Sequence, residues 1–211
     1  MCIRDRYTIV VDFAGKGKIT YPDGVIVNDE TTSNLTKNEN FVVLECVYRL
    51  LKLGYKPECI ELEPKWEAPH DIGGGGKADV LVKDNAGESF LLIECKTWGK
   101  EFDNYWKKTE QDGDQLFFYA VQKRSTKYLC MYASNWDNDE LVRKSNIISL
   151  KDNTATLESF DEPISFEKAN DKSSLFAAWN ITYGKYSFKN GIFEDTCCLL
   201  YTSDAADDMQ C

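Results

Sequence analysis

The stretch Lys77–Lys96, KADVLVKDNAGESFLLIECK, predicts a β-hairpin whose second strand ends in charged residues. Two apolar runs, VLV and FLLI, flank the segment DNAG, an Asn- and Gly-containing turn of the kind that joins antiparallel strands. The second run leads directly into Glu94, Cys95 and Lys96. Side chains two residues apart project from one face of a strand, so we expect Glu94 and Lys96 to lie together. Cys95 should then point towards the packed side.

Asp79 adds a second carboxylate to this end of the hairpin. It stands at the start of the first strand, and antiparallel pairing should bring it towards Glu94. Carboxylate and carbonyl oxygens suit Mg²⁺, so we expect Asp79, Glu94 and the Cys95 carbonyl to hold Mg²⁺, with Mn²⁺ as a substitute. A lysine beside the metal can position an attacking water and offset developing charge. The alternative is a strand-end ion pair of little energetic value.

The remaining patterns predict an α/β protein with an α+β mixed sheet, in the core order α-β-β-β-α-β. We expect YTIVVDF and GVIVND to pair as two short strands, and a helix to lie within TTSNLTKNENFVVLECVYRLLKLGY. The candidate N-caps of this helix are Ser33, Asn34 and Thr36, and its stop is Gly54. The later elements are a strand in ECIELEPKW, a helix in DGDQLFFYAVQKR opened by Asp112 or Asp114, and strands in KYLCMYAS and NIISL.

The first helix offers two candidates for a further acid. At about 100° per residue, Glu39 falls on the apolar line of Val43, Cys46 and Leu50, whereas Glu45 falls on the polar face. A carboxylate aimed at the interior is costly unless it is paired or metal-bound. Glu39 is therefore the preferred candidate and Glu45 the alternative. Glu39 also suits a helix N-terminus for purely electrostatic reasons.

Asp79, followed after a hairpin by Glu94-Cys95-Lys96, resembles the D…ExK signature of the PD-(D/E)XK nuclease superfamily. Gln115 and Tyr119 in DQLFFYA resemble the QxxxY element of a subset of it. That subset includes the N-terminal nuclease domain of type I restriction enzyme R subunits and related restriction–modification proteins. The resemblance covers roughly residues 36–134, and Ala78 stands where many members have proline.

The resemblance implies a restriction-endonuclease-like fold and a Mg²⁺-dependent DNA endonuclease that leaves 5′-phosphates. Asp79, Glu94, Lys96 and Glu39 would be its catalytic residues. Gln115 and Tyr119 would orient the site or contact the DNA backbone. The expected partners are DNA and a methyltransferase, helicase or specificity module. Two alternatives stay open: a non-catalytic DNA-binding or scaffolding module with the same fold, and a repair or recombination nuclease.

Composition limits the class of protein. A hydrophobic fraction of 43% is typical of a globular chain, and no apolar run approaches the roughly 20 residues of a membrane span. Eight cysteines without a CxxC pair, and the single His70, disfavour a zinc site and favour reduced thiols in a cytoplasm, which the resemblance implies is prokaryotic. The net charge of −10 lies outside residues 77–127, where nine basic residues balance nine acidic ones. This net negative charge weakens the hypothesis that the protein binds DNA but does not exclude it.

The chain divides into five predicted segments. Residues 1–6 and 198–211 resemble translated adapter sequence from environmental gene assemblies, and the chain would then be a fragment. Residues 7–35 form the N-terminal strand pair, 36–150 the nuclease-like domain, and 151–197 the lead-in to a further module.

Two other motifs have weaker functional interpretations. Gly73–Gly76 precedes Lys77 but lacks the GK[ST] ending of a P-loop, so we expect a loop beside the DNA path. The aromatic residues Trp98, Tyr105 and Trp106 alternate with lysines. They predict a packed surface helix, and stacking on nucleic acid is the alternative.

Overall fold

The computed structural model of the chain describes residues 7–65, 77–112, 116, 119, 120, 123 and 125–150. The predicted segments 1–6, 151–197 and 198–211 lie outside these residues. Two helices and eight strands are bounded within them. The helices are α1 (Asn38–Leu53) and α2 (Lys100–Asp112). The strands are β1 (Val10–Asp12), β2 (Lys18–Thr20), β3 (Ile26–Val27), β4 (Ile60–Leu62), β5 (Val80–Lys83), β6 (Ser89–Cys95), β7 (Tyr128–Asp137) and β8 (Glu140–Ser149).

The main sheet has six strands in the order β3-β4-β5-β6-β7-β8. The pairs β3–β4 and β6–β7 are parallel, and the other three pairs are antiparallel. A parallel neighbour requires a crossover, and α2 lies in the connection between β6 and β7. The predicted mixed α+β sheet is therefore confirmed.

The central hairpin β5–β6 has the predicted antiparallel pairing. Val80 pairs with Ile93, so Asp79 and Glu94 continue the chain at the same end of the sheet. Gly87 in the turn has φ of 80°, a left-handed conformation that glycine adopts without steric cost. All seven residues of β6 are buried, because helices cover both faces of the sheet. A central strand held in this way makes a rigid support for the residues at its end.

Helix α1 covers one face of the sheet through the predicted apolar line. Val43, Cys46 and Leu50 are fully buried against β5, β6 and β7. Its end is the predicted one, with Gly54 at φ 98° donating its N–H to the Leu51 carbonyl at 3.1 Å. The predicted N-caps are wrong. Lys37 holds that position without a side-chain cap. The Asn34 side chain instead accepts the Thr36 N–H at 3.0 Å in the turn before the helix.

The N-terminal strand pairing differs from the prediction. β1 pairs with β2, whereas Ile26 and Val27 of β3 join the main sheet beside Glu61 and Leu62. The third predicted strand, β4, is only three residues long because Pro57–Cys59 before it forms a turn of 3-10 helix. Without β3, β4 would be an open sheet edge, and pairing satisfies part of that edge. Strand propensity does not show whether β3 pairs with β1 or with the edge strand β4.

The other face of the sheet is covered by α2 and by helical residues further along the chain. Phe102, Trp106, Leu116 and Tyr119 are buried there. Asp112 ends α2 rather than opening the next helix, and Asp114 lies outside the described residues. None of the helices in the described part is long and apolar enough to cross a membrane.

Candidate functional site

The end of β6 joins residues from three separate parts of the chain. The Lys96 Nζ lies 2.7 Å from Glu94 Oε1 and 2.9 Å from Glu39 Oε1, which comes from the first turn of α1. Lys96 and Glu94 are each only 6% exposed. The Lys96 ammonium also lies 4.8 Å from the centre of the Tyr105 ring on α2. The acid and base at the end of the strand therefore contact each other directly, in addition to converging with a third residue.

Asp79 enters this group from the start of β5. Its Oδ2 accepts a hydrogen bond from the backbone N–H of Cys95 at 2.7 Å. This bond crosses the hairpin and fixes the position of the Asp79 side chain. The Cys95 side chain is fully buried in the core beneath α1, on the predicted packed side. Asp79 contacts Cys95 through the amide nitrogen of Cys95. Metal binding by the Cys95 carbonyl stays a prediction.

The site contains more negative than positive charge. Burial raises the pKa of Asp79 well above its usual value, and repulsion from Glu94 raises that pKa further. Burial alone would lower the pKa of Lys96, but the Glu94 and Asp79 carboxylates outweigh it and raise that pKa. Lys96 is therefore a stable ammonium, whereas Asp79 resists ionisation. Three acidic side chains surround one ammonium in a partly desolvated space, so a further cation would favour the ionised form of Asp79.

The two candidate acids of α1 have different partners. Glu39 bonds Lys96, as described above, whereas Glu45 accepts the Arg143 Nε–H at 2.7 Å and the Tyr132 hydroxyl. The Glu45 side chain is the more buried of the two, at 11% exposure against 30% for Glu39. Helical periodicity had placed Glu45 on the polar face. Partners on β7 and β8 reach over and cover it.

Tyr119 bonds the main chain close to the start of β5. Its buried hydroxyl donates to the Lys77 carbonyl at 2.8 Å, two residues before Asp79. Burial raises the pKa of Tyr119, and the nearby Glu94 carboxylate adds to this effect, so the phenol stays protonated. Gln115, His70 and Gly73–Gly76 lie outside the described residues.

The predicted packed helix is present as α2. Trp106 is 8% exposed and belongs to the second core, whereas Trp98, before the helix, is 41% exposed. Tyr105 was not predicted as a site residue, yet its ring contacts Lys96. Its aromatic character was visible in the sequence, but its approach to Lys96 depends on how α2 docks.

The donor set fits a hard divalent cation by its chemistry. Asp79, Glu94 and Glu39 supply carboxylate oxygens, which Mg²⁺ and Mn²⁺ prefer. In the described part of the chain, no three or more His, Cys, Asp or Glu side chains form a ready-made metal cluster. The Lys96 ammonium instead takes up the bonds of Glu39 and Glu94. A metal would therefore share these carboxylates with Lys96.

Neither a scan against protein-family models nor a search of curated proteins finds a match for this chain.

Proposed function

We propose that the chain carries the Mg²⁺-dependent DNA endonuclease domain of a restriction–modification protein, either type I R-like or fused to a methyltransferase. The observation that carries the proposal is the excess of carboxylates around Lys96 at the end of the central strand. Glu39, Asp79 and Glu94 all lie at or beside one buried ammonium. A site with this charge excess is suited to a divalent cation, which in turn would attract an anionic substrate, and a simple structural ion pair does not require the excess.

Asp79 and Glu94 are the residues that would hold the metal, with the Cys95 carbonyl as a third oxygen. Bound there, Mg²⁺ would polarise a phosphodiester group and offset its developing charge. The protein residues have separate tasks. The Cys95 N–H orients Asp79. Glu39 and Tyr105 hold the Lys96 ammonium in place.

Lys96 is the residue best placed to act on a water or a phosphate oxygen. An ammonium has three N–H donors, and the described carboxylate contacts use two of them. The third can bind a water or a phosphate oxygen. Its positive charge favours the transition state, in which negative charge accumulates on the phosphate.

The direct test is DNA cleavage by the purified chain with Mg²⁺, on plasmid and linear substrates. We expect cleavage by the wild type and none by Asp79→Ala or Lys96→Ala. Lys144→Ala is the control, since Lys144 forms an ion pair of 2.6 Å with Asp103 of α2, and Asp103 is not one of the proposed site residues. If both site variants cut DNA as fast as the wild type, the proposed site is wrong.

Metal binding tests the site without requiring a partner module. We expect Mn²⁺ titration calorimetry to show binding by the wild type that Glu94→Gln and Asp79→Asn each weaken strongly. DNA binding without metal binding or cleavage would instead support the non-catalytic DNA-binding alternative.

A further inference from the structure

A second polar cluster lies beside the start of β5, immediately before Asp79. Its centre is Glu63, which is 1% exposed although it carries a carboxylate. The Thr31 hydroxyl lies 2.6 Å from Glu63 Oε2, and the Lys77 ammonium forms an ion pair with the same carboxylate. Lys77 also donates to the Thr31 hydroxyl at 2.7 Å. The three side chains therefore form a closed hydrogen-bonded triangle.

Glu63 has a backbone conformation that its own residue type does not favour. Its φ is 51°, in the left-handed region, which is unfavourable for a non-glycine residue. In this conformation the Glu63 N–H donates to the Asp79 carbonyl at 2.9 Å. The side-chain contacts with Thr31 and Lys77 hold the strained residue in place. The strain is thus maintained at a residue that bonds directly to the main chain of Asp79.

Lys77 connects this cluster to the residues around Asp79. Its ammonium is bound by Glu63, its carbonyl accepts the Tyr119 hydroxyl at 2.8 Å, and its backbone forms an antiparallel bridge with Lys65. The chain entering β5 is thereby held from three directions only two residues before Asp79. A ligand residue needs such support, because a displacement of about 0.5 Å is enough to disturb a functional site.

We propose that Glu63 is a positioning residue for Asp79, and that the triangle Thr31–Glu63–Lys77 sets the metal affinity of the site. This inference rests on the proposed metal-dependent function. Burying an ion pair is a poor source of stability, since its desolvation offsets most of the Coulomb attraction. Positioning of the Asp79 backbone gives a reason for burying this one.

The chain offers a closely matched control in Glu61, two residues earlier on β4. Glu61 also pairs with a lysine of the β5 region, Lys83 at 2.6 Å, and also accepts from the N-terminal segment, through Asn28 at 2.7 Å. Lys83 lies at the far end of β5 from Asp79. Glu61 lies in β4 and Glu63 directly follows that strand, so Glu61→Gln and Glu63→Gln remove the same charge from nearby positions, and only Glu63 bonds the main chain of Asp79.

The experiment compares the Mn²⁺ affinity of these two variants with the wild type by titration calorimetry, at a temperature where all are folded. Loss of a residue that orients a metal ligand typically weakens binding about 10- to 100-fold. We expect a loss of at least about 10-fold for Glu63→Gln, and wild-type affinity for Glu61→Gln. Equal affinities for the two variants would overturn the inference.

A second pair of variants covers the case in which Glu63→Gln does not fold. Thr31 is exposed and uncharged, so Thr31→Val changes the triangle without changing the charge of the protein. We expect Thr31→Val to weaken Mn²⁺ binding, and Thr31→Ser, which keeps the hydroxyl, to restore it. A purely structural role would lower the melting temperature of Thr31→Val and leave its Mn²⁺ affinity unchanged, which would contradict positioning.

Failure of the proposed function gives a different result. If Asp79→Asn binds Mn²⁺ as tightly as the wild type, the metal is not at Asp79, and both proposals are overturned. If Asp79→Asn loses binding but Glu63→Gln behaves like Glu61→Gln, only the positioning role of Glu63 is wrong.

Discussion

Glu39 and Glu45 both lie on α1, but the net charge of their surroundings differs. Glu45 meets Arg143 at 2.7 Å and the neutral hydroxyl of Tyr132, and the Arg49 guanidinium adds positive charge nearby, so no negative charge is left in excess. Glu39, less than two turns away, shares Lys96 with Glu94, while Asp79 lies beside them. Here three acids face one base.

The ion pair of Glu45 can be explained by its contribution to folding alone. The group of acids around Lys96 cannot be explained in this way. In a balanced ion pair, the attraction between the charges offsets part of the free-energy cost of removing them from water. Burial, and then repulsion from Glu94, raise the pKa of Asp79, so an excess of partly buried negative charge is costly. This cost supports the proposal that a cation completes the site. The comparison can be tested by changing one member of each group.

The largest expected effect is on Lys96. We expect Lys96→Met to reduce DNA cleavage by at least about 100-fold, because the ammonium that stabilises the transition state is lost. Its Mn²⁺ affinity should increase, since the removed ammonium repels a bound cation and competes for Glu39 and Glu94. Cleavage rates and titration calorimetry measure the two effects. Arg143→Met is the balanced-pair control and should change neither. Parallel losses of cleavage and Mn²⁺ affinity in Lys96→Met would indicate a structural role instead.

The next effect concerns pH and Asp79. Its pKa is raised in the folded state, so the neutral carboxyl is favoured there, and ionisation removes stability as the pH rises through that raised pKa. Without metal at pH 8, Asp79→Asn should therefore melt at a higher temperature than the wild type. The gap should close as the pH falls towards about 4, near the unfolded pKa. Thermal melts from pH 4 to 8 measure it, and a constant gap would argue against the raised pKa.

Adding Mg²⁺ gives the converse check on the same two proteins. Bound metal stabilises the folded state in proportion to its affinity. We expect Mg²⁺ at pH 8 to raise the melting temperature of the wild type and to leave that of Asp79→Asn nearly unchanged. An equal shift in both would place the metal elsewhere.

A smaller effect is expected at the two helix acids themselves. Glu39→Gln should lower cleavage about 10-fold with little change in melting temperature, because it loosens the hold on Lys96. Glu45→Gln should lower the free energy of unfolding by about 1–3 kcal/mol, since it weakens a charge-assisted hydrogen bond, and leave cleavage intact. Kinetics and urea unfolding on both variants give the comparison. The reverse pattern would make Glu45 the functional acid.

The smallest effect is expected at Tyr119. Tyr119→Phe removes the hydrogen bond to the Lys77 carbonyl, so we expect a loss of about 1 kcal/mol in the free energy of unfolding. Cleavage should fall only a few-fold. Tyr48→Phe on the exposed side of α1 is the control, and urea unfolding distinguishes the two. No difference between them would mean that the buried hydroxyl contributes nothing.

Short-range pattern was sufficient for the hairpin and for the face of α1. Strand alternation and the turn at DNAG predicted that Asp79 and Glu94 meet, and the pairing of Val80 with Ile93 agrees. Helical periodicity predicted the buried line of Val43, Cys46 and Leu50. Both succeed because they depend on spacing within one element, where backbone geometry sets direction.

Contacts between distant segments were not predictable in the same way. Residues far apart in the chain cover Glu45, place Tyr105 against Lys96 and bring Thr31 to Glu63. The pairing of β3 with β4 rather than with β1 is of the same kind. Each depends on how whole elements dock, and no local spacing encodes that.

The sequence by itself determined the residue types and order of the proposed site: an acid, a hairpin, and then Glu94 and Lys96 on one face of a strand. Only the tertiary structure decided that Glu39 reaches Lys96 across a separation of 57 residues, and that Asp79 lies half-buried beside them. It also brought the Glu63 N–H to the Asp79 carbonyl. The physical reason is that side-chain direction is a local property, whereas burial and charge balance arise from every element packed around a site.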